Sequence, residues 1–264
     1  LVTVLYLGGS MLNAEIYPPI AARQWLELIG SSALFLNQSI DPRLTVPTNA
    51  AYWSICFEVW YYILFGCIFY LKGLRRAVLL IIFMIVAGLQ ILVMFQIWCM
   101  GYILYTIHTS WKIEEHSAVF LLLGALVLYL GMRGYNFDDA LYSAYSTKWG
   151  GDARLNGQLG FAKRFLVDYM TASLFLLMLV GVLSLGERML PLLTRFRRLI
   201  SFASGGAFSL YLYHMPLLAF LSPLVPSSVG AMALTLAVIY ALAPSTEGRK
   251  APYVRLFQRL LPRK

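Results

Sequence analysis

A polytopic, all-α bundle of transmembrane helices is the fold this sequence predicts, on three observations. Of its 264 residues 60% are hydrophobic and only 12% charged, with a mean hydropathy of +0.72. A soluble domain needs a larger charged surface than that. Several apolar stretches reach about 18 or more residues, the length a helix needs to cross a bilayer. Positive residues gather between and after those stretches, the pattern that sets membrane orientation. The net charge of +9 belongs to this pattern, because no base-reading motif or basic and aromatic ladder accompanies it. Residues 1–264 therefore read as one membrane-embedded domain whose first partner is the lipid bilayer.

Residues 1–12 read as the end of a span. Residues 13–49 are mixed, with prolines at 18, 19, 42 and 47, and the stretch "AARQWLELIGSSALFL" within them reads as an interfacial or re-entrant helix. The first clear span covers 50–71 and is closed by the basic "KGLRR" at 72–76. A span over 77–95 and a shorter one over 96–108 follow. The polar link "HTSWKIEEHS" precedes a span at 117–132, and 133–162 reads as a polar loop. Spans at 163–186, 207–225 and 228–244 bring the total to about eight. The tail "STEGRKAPYVRLFQRLLPRK" is basic and reads as helical. No internal repeat is visible.

Alternating the links between sides tests this order. One side receives 72–76, 109–116, 187–206 and 245–264, which hold 14 positive residues and four acids. The other side holds seven positive residues and six acids, while Glu58 and Asp168 fall inside spans. The asymmetry predicts that the first side, with the C-terminus, is cytoplasmic.

Glu58 sits inside the run "AYWSICFEVWYYILFGCIFYL". A carboxyl in a span is expensive and marks function by facing a bundle interior or a wet cavity. Ser54, Glu58, Tyr61 or Tyr62, and Phe65 share one helical face, with Trp53 near the same end. An aromatic belt at the interface explains the tryptophans and tyrosines equally well. A second constellation is "GGAFSLYLYHMPLL", where Ser209, Tyr211 and His214 precede Pro216. Histidine is the side chain best suited to moving a proton near neutral pH. Its structural alternative is a bond to a backbone carbonyl that Pro216 frees. A third is "YALAPSTEGRKAP", where Glu247, Arg249 and Lys250 close the last span. They either anchor a helix end or hold a phosphorylated donor. His108 and His116 read as solvated link residues. Cys56, Cys67 and Cys99 read as small buried hydrophobes, and no metal site, Walker loop, GxGxxG, HExxH or GxSxG is present.

Taken together, these stretches resemble acyltransferase family 3, a family of integral membrane proteins. "YWSICFEVWYY" is similar to its W-S-x-x-x-E-x-x-Y signature at Trp53, Ser54, Glu58 and Tyr61. "IWCMGYILY" resembles its W-x-x-G helix at Trp98 and Gly101, and "FSLYLYHMP" its S-x-Y-L-x-H-x-P signature at Ser209, Tyr211, Leu212, His214 and Pro216. "YALAPSTEGRK" resembles its closing stretch at Glu247. The likeness covers roughly residues 45–255.

The resemblance implies transfer of an acyl group, often acetyl, from cytoplasmic acyl-CoA to a hydroxyl of a cell-envelope or exported carbohydrate. No cofactor is bound, since acyl-CoA is the donor substrate. Glu58 and His214 are then the catalytic candidates on this chain. Trp53, Ser54, Tyr61, Ser209 and Tyr211 are acceptor-binding candidates, and Glu247 and Arg249 donor-binding ones. A bacterial plasma membrane is the implied location. The resemblance further implies about ten spans, with a basic residue and a catalytic histidine on the first. Neither stands at the start of this chain, which fits a sequence beginning at the third span and a fragment inactive alone. The rival readings are a transporter or flippase for a glycan or small solute, and an inactive remnant.

Overall fold

The computed structural model describes residues 2–12, 17, 20–41, 44–247 and 255. The described residues are all-α, apart from an isolated bridge between Val46 and Asn49. The helices are α1 (Val2–Leu12), α2 (Ala22–Ala33), α3 (Asn37–Ile40), α4 (Trp53–Tyr70), α5 (Gly73–Ala87), α6 (Leu89–Ser110) and α7 (Glu115–Gly134). They continue as α8 (Phe137–Lys148), α9 (Asp152–Leu159), α10 (Phe165–Ser184), α11 (Gly186–Arg195), α12 (Arg197–Ser204), α13 (Ala207–Leu221) and α14 (Ser228–Thr246). Among the described residues, five helical segments are long and apolar enough to cross a membrane: Ala50–Tyr70, Leu89–Ser110, Glu115–Gly134, Asp152–Ser184 and Ser228–Thr246. That is the signature of an integral membrane protein.

Two boundaries differ from the sequence expectation. The break expected near residue 95 falls at Gly88. Its backbone has φ +83° and ψ 164°, a region open essentially to glycine alone. α5 therefore has 15 residues, about 22 Å, which is short of a roughly 30 Å hydrocarbon core. α6 has 22 residues and is long enough to span. The expected loop at 133–162 is instead α8, α9 and the start of a 3-10 turn at 160–164. α8 has Asp138 and Asp139 in its first turn and Lys148 in its last, charges that suit the two ends of a helix dipole. Of the basic tail, Ser245, Thr246, Glu247 and Arg255 are described, and the rest lies outside the described residues.

The described residues divide into two compact units. One takes residues 1–28, 45–52 and 193–264, the other 29–44 and 53–192. In the first, α13 packs against α14 and α1. Gly206 lies under the ring of Tyr240, whose hydroxyl donates to the Ala203 carbonyl at 3.1 Å. Tyr6 meets Tyr17 and Trp25 edge to face, each at 5.2 Å.

In the second unit, α4 buries Cys56, Phe57, Trp60, Tyr61, Leu64 and Cys67, a stripe at helical spacing. Cys56, Phe57, Trp60 and Tyr61 share one core with Ala87, Ile91, Leu155, Leu159 and Ala162. The Trp60 indole and the Cys56 thiol both donate to the Phe35 carbonyl, at 2.9 and 2.8 Å. Cys99 is half-buried. α7 and α10 pack most extensively, and a small residue from each stands at their close approach. Ala118, Ala125 and Met132 of α7 are buried seven apart, and Gly181 of α10 meets the Ala118 carbonyl.

Candidate functional site

The sequence candidates fall in both units. Glu58, Trp53, Ser54 and Tyr61 belong to the second, and His214, Ser209, Tyr211 and Glu247 to the first. Arg249 lies outside the described residues.

On α4 the core stripe decides the orientation of everything else. Tyr61 lies in that stripe, with Phe95 at 5.6 Å and Trp98 at 6.1 Å between ring centroids. Glu58 falls on the opposite face and is exposed, not enclosed in the cavity the sequence suggested. Tyr62, one turn on, donates its hydroxyl to Glu58 Oε1 at 3.2 Å, and Trp98 meets the Tyr62 ring edge to face. The carboxyl is thus the head of an outward Glu58, Tyr62, Trp98 patch, with Tyr62 and not Tyr61 as its neighbour. Trp53 is half-buried and stacked on Phe161 at 4.9 Å and 7°. Ser54 is half-buried one turn before Glu58.

On α13 the two faces divide the labour. Ser209, Pro216 and Leu217 are buried. Glu247, just past the end of α14, accepts the Ser209 backbone N–H at 2.6 Å, and the Ser209 hydroxyl meets Thr246 Oγ1 at 2.8 Å. These bonds satisfy one of the orphan N–H groups at the start of α13 and put a carboxylate at its positive end. Tyr211 donates its hydroxyl to the Ala51 carbonyl at 3.0 Å.

His214 Nδ1 lies 2.9 Å from both the Leu210 and Tyr211 carbonyl oxygens. Carbonyls only accept, so Nδ1 carries the proton and a neutral ring has its lone pair on Nε2. The carbonyl Pro216 frees is that of Leu212, four residues back, and His214 does not use it. The ring is therefore held by the turn preceding it and not by a defect at the proline.

Two groupings escape the sequence reading. One is the charged scaffold of α8, α9 and the turn before α10. Arg133 pairs with the buried Asp138, and Arg164 reaches Asp139 at 2.8 Å and Asp138 at 3.7 Å. Lys163 meets Asp152 at 3.0 Å, Tyr142 also donates to Asp152, and the Arg164 guanidinium lies 4.9 Å over the Tyr142 ring. Burial, then the bond to Asp152 and its charge, push the Tyr142 phenol up to about 12. The other is a buried set of carboxamides. Gln90 donates to the Gln38 carbonyl and Gln38 to the Leu44 carbonyl, while the Asn37 amide has no partner among the described residues. Four amides within the segment 37–90, at Asn37, Gln38, Asn49 and Gln90, were the available signal, but amide residues are ordinary in loops and attract no attention before burial is known.

No family model, no curated protein and no solved structure matches this chain, so its likeness to acyltransferase family 3 rests on the four stretches quoted above.

Proposed function

We propose that this chain belongs to a membrane O-acyltransferase that moves an acyl group, acetyl in the simplest case, from acyl-CoA to a hydroxyl of an envelope carbohydrate. The observation that carries the reading is His214. Its Nδ1–H is committed to two carbonyls, which leaves Nε2 to take a proton. The acceptor hydroxyl gives its proton to Nε2 as its oxygen bonds to the thioester carbonyl carbon. The carbon–sulfur bond then breaks, and the departing thiolate recovers the proton from the imidazolium. Glu247 supports this chemistry indirectly by capping the helix that bears His214.

The topology in this reading has eight spans. It adds α1, α5 and α13, each shorter than the five that meet the length alone. The basic links then lie in the cytoplasm of a bacterial cell, on the donor's side.

The test uses the protein purified from its native membrane, labelled acetyl-CoA and envelope polysaccharide. Label is expected to move to the carbohydrate. His214→Gln should lower kcat about 100-fold or more while the protein stays folded. Untouched acetyl-CoA in the presence of acceptor would sink the enzyme reading and return solute transport to the front.

A further inference from the structure

A cleft of about 540 Å³ opens where four helices of the second unit meet. α6 and α10 end there, and α7 and α11 begin there. Its walls include His108, Trp111, Lys112, Glu115, Ser184 and Arg188. The charge inside is unbalanced. Arg188 pairs with Glu115, the one acid among the described residues that line the cleft. Lys112 has no acidic partner among the described residues, so its positive charge stands unbalanced. Helix dipoles do not absorb this surplus. Two C-termini and two N-termini converge, so their half-charges largely cancel.

The position specifies the kind of anion. α6, α7 and α10 belong to three of the five segments able to cross the membrane, and the cleft sits at their common end. That is the depth of lipid headgroups. Trp111 is 68% exposed beside it, as interfacial tryptophans are. Arg188 keeps N–H donors beyond those facing Glu115, and a guanidinium with a neighbouring ammonium suits a phosphate's several oxygens.

We propose that this cleft binds a phosphate group at the membrane surface, the headgroup of an anionic phospholipid being the source its position favours. The proposal does not depend on the acyl-transfer reading.

The protein is placed in nanodiscs of phosphatidylcholine mixed with phosphatidylglycerol, and retained lipid is weighed by native mass spectrometry. Wild type should retain phosphatidylglycerol preferentially. Lys112→Gln, which leaves the Arg188 to Glu115 pair intact, should weaken retention about fivefold, and adding Arg188→Gln about thirtyfold in all. Lys72→Gln, which does not line the cleft, should change nothing. A second arm titrates inorganic pyrophosphate. Displacement of the lipid supports one phosphate site. Pyrophosphate binding that Lys112→Gln weakens, without lipid preference, assigns the site to a soluble phosphate. Retention equal in wild type and the double variant, equal loss from Lys72→Gln, or binding of neither probe would overturn the proposal. Circular dichroism of Lys112→Gln verifies that its fold is kept.

Discussion

Gly181 and Gly66 ask opposite things of a methyl group. At Gly181 a Cβ would lie 2.6 Å from the Ala118 carbonyl oxygen and 2.9 Å from the Leu122 Cβ, so helix must move from helix. Gly181→Ala should cost about 1–3 kcal/mol by overpacking. At Gly66 of α4 nothing lies within 4 Å, and Gly66→Ala should be neutral or stabilising by about 0.5–1 kcal/mol through helix propensity. Thermal unfolding in detergent ranks the two, and equal midpoints would refute the close contact. Tyr142 yields a pH prediction. Its folded phenol titrates higher than an unfolded tyrosine, so it contributes stability that is whole below about pH 10 and lost as pH rises toward about 12. Absorbance at 295 nm should lose one ionisation near pH 12 in Tyr142→Phe, and a missing step near pH 10 would contradict the environment described. The same scale limits what could be read in advance. Tyr61 and Tyr62 are consecutive aromatics on one apolar run, and helical spacing groups Glu58 with either. Which of them enters the core depends on Phe95 and Trp98 from another helix. Neither the contact of Ser209 with Thr246 nor the capping role of Glu247 was legible, since a carboxylate at a helix end signals anchoring and capping alike.

The joint between α5 and α6 is one residue long. Hydropathy runs unbroken across it, which is why the apolar count divided 77–108 in the wrong place. The physical signal is a backbone angle that only glycine tolerates, and a lone glycine inside an apolar run carries no mark of its angle. Gly88→Ala should cost about 1–3 kcal/mol and loosen this pair, measured as a lower midpoint of unfolding by sodium dodecyl sulfate. A midpoint equal to that of wild type would mean the joint relaxes freely. The segment 133–162 failed the opposite way. Its polarity is that of a loop, yet its charges close on one another as Arg133 with Asp138, Arg164 with Asp139 and Lys163 with Asp152, and so a polar stretch becomes a helical scaffold. Pairing across helices is a tertiary fact that composition does not contain.

At the scale of the molecule, helical class and membrane residence were legible because length and apolarity decide them. The count of spans was less so, because α1, α5 and α13 are too short for length alone to place them. One crossing can be checked directly. α7 covers 20 residues, about 30 Å, between the link that contains Glu114 and the helix that ends at Lys148. Glu114→Cys and Lys148→Cys should react with a charged maleimide from opposite faces of a sealed vesicle. The native cysteines, buried or half-buried in spans, should react poorly. Labelling of both from one face would remove α7 from the spans. The contact between α7 and α10 reaches further than its geometry. Lipid tails surround leucine as comfortably as a neighbouring helix does, so these helices gain little by expelling water from one another. They hold by close contact at Ala118 and Gly181, and dispersion lacks the large heat-capacity change that weakens water-driven association on cooling. The pair should therefore grip as firmly in the cold as in the warm, a tolerance of low temperature set by two small side chains.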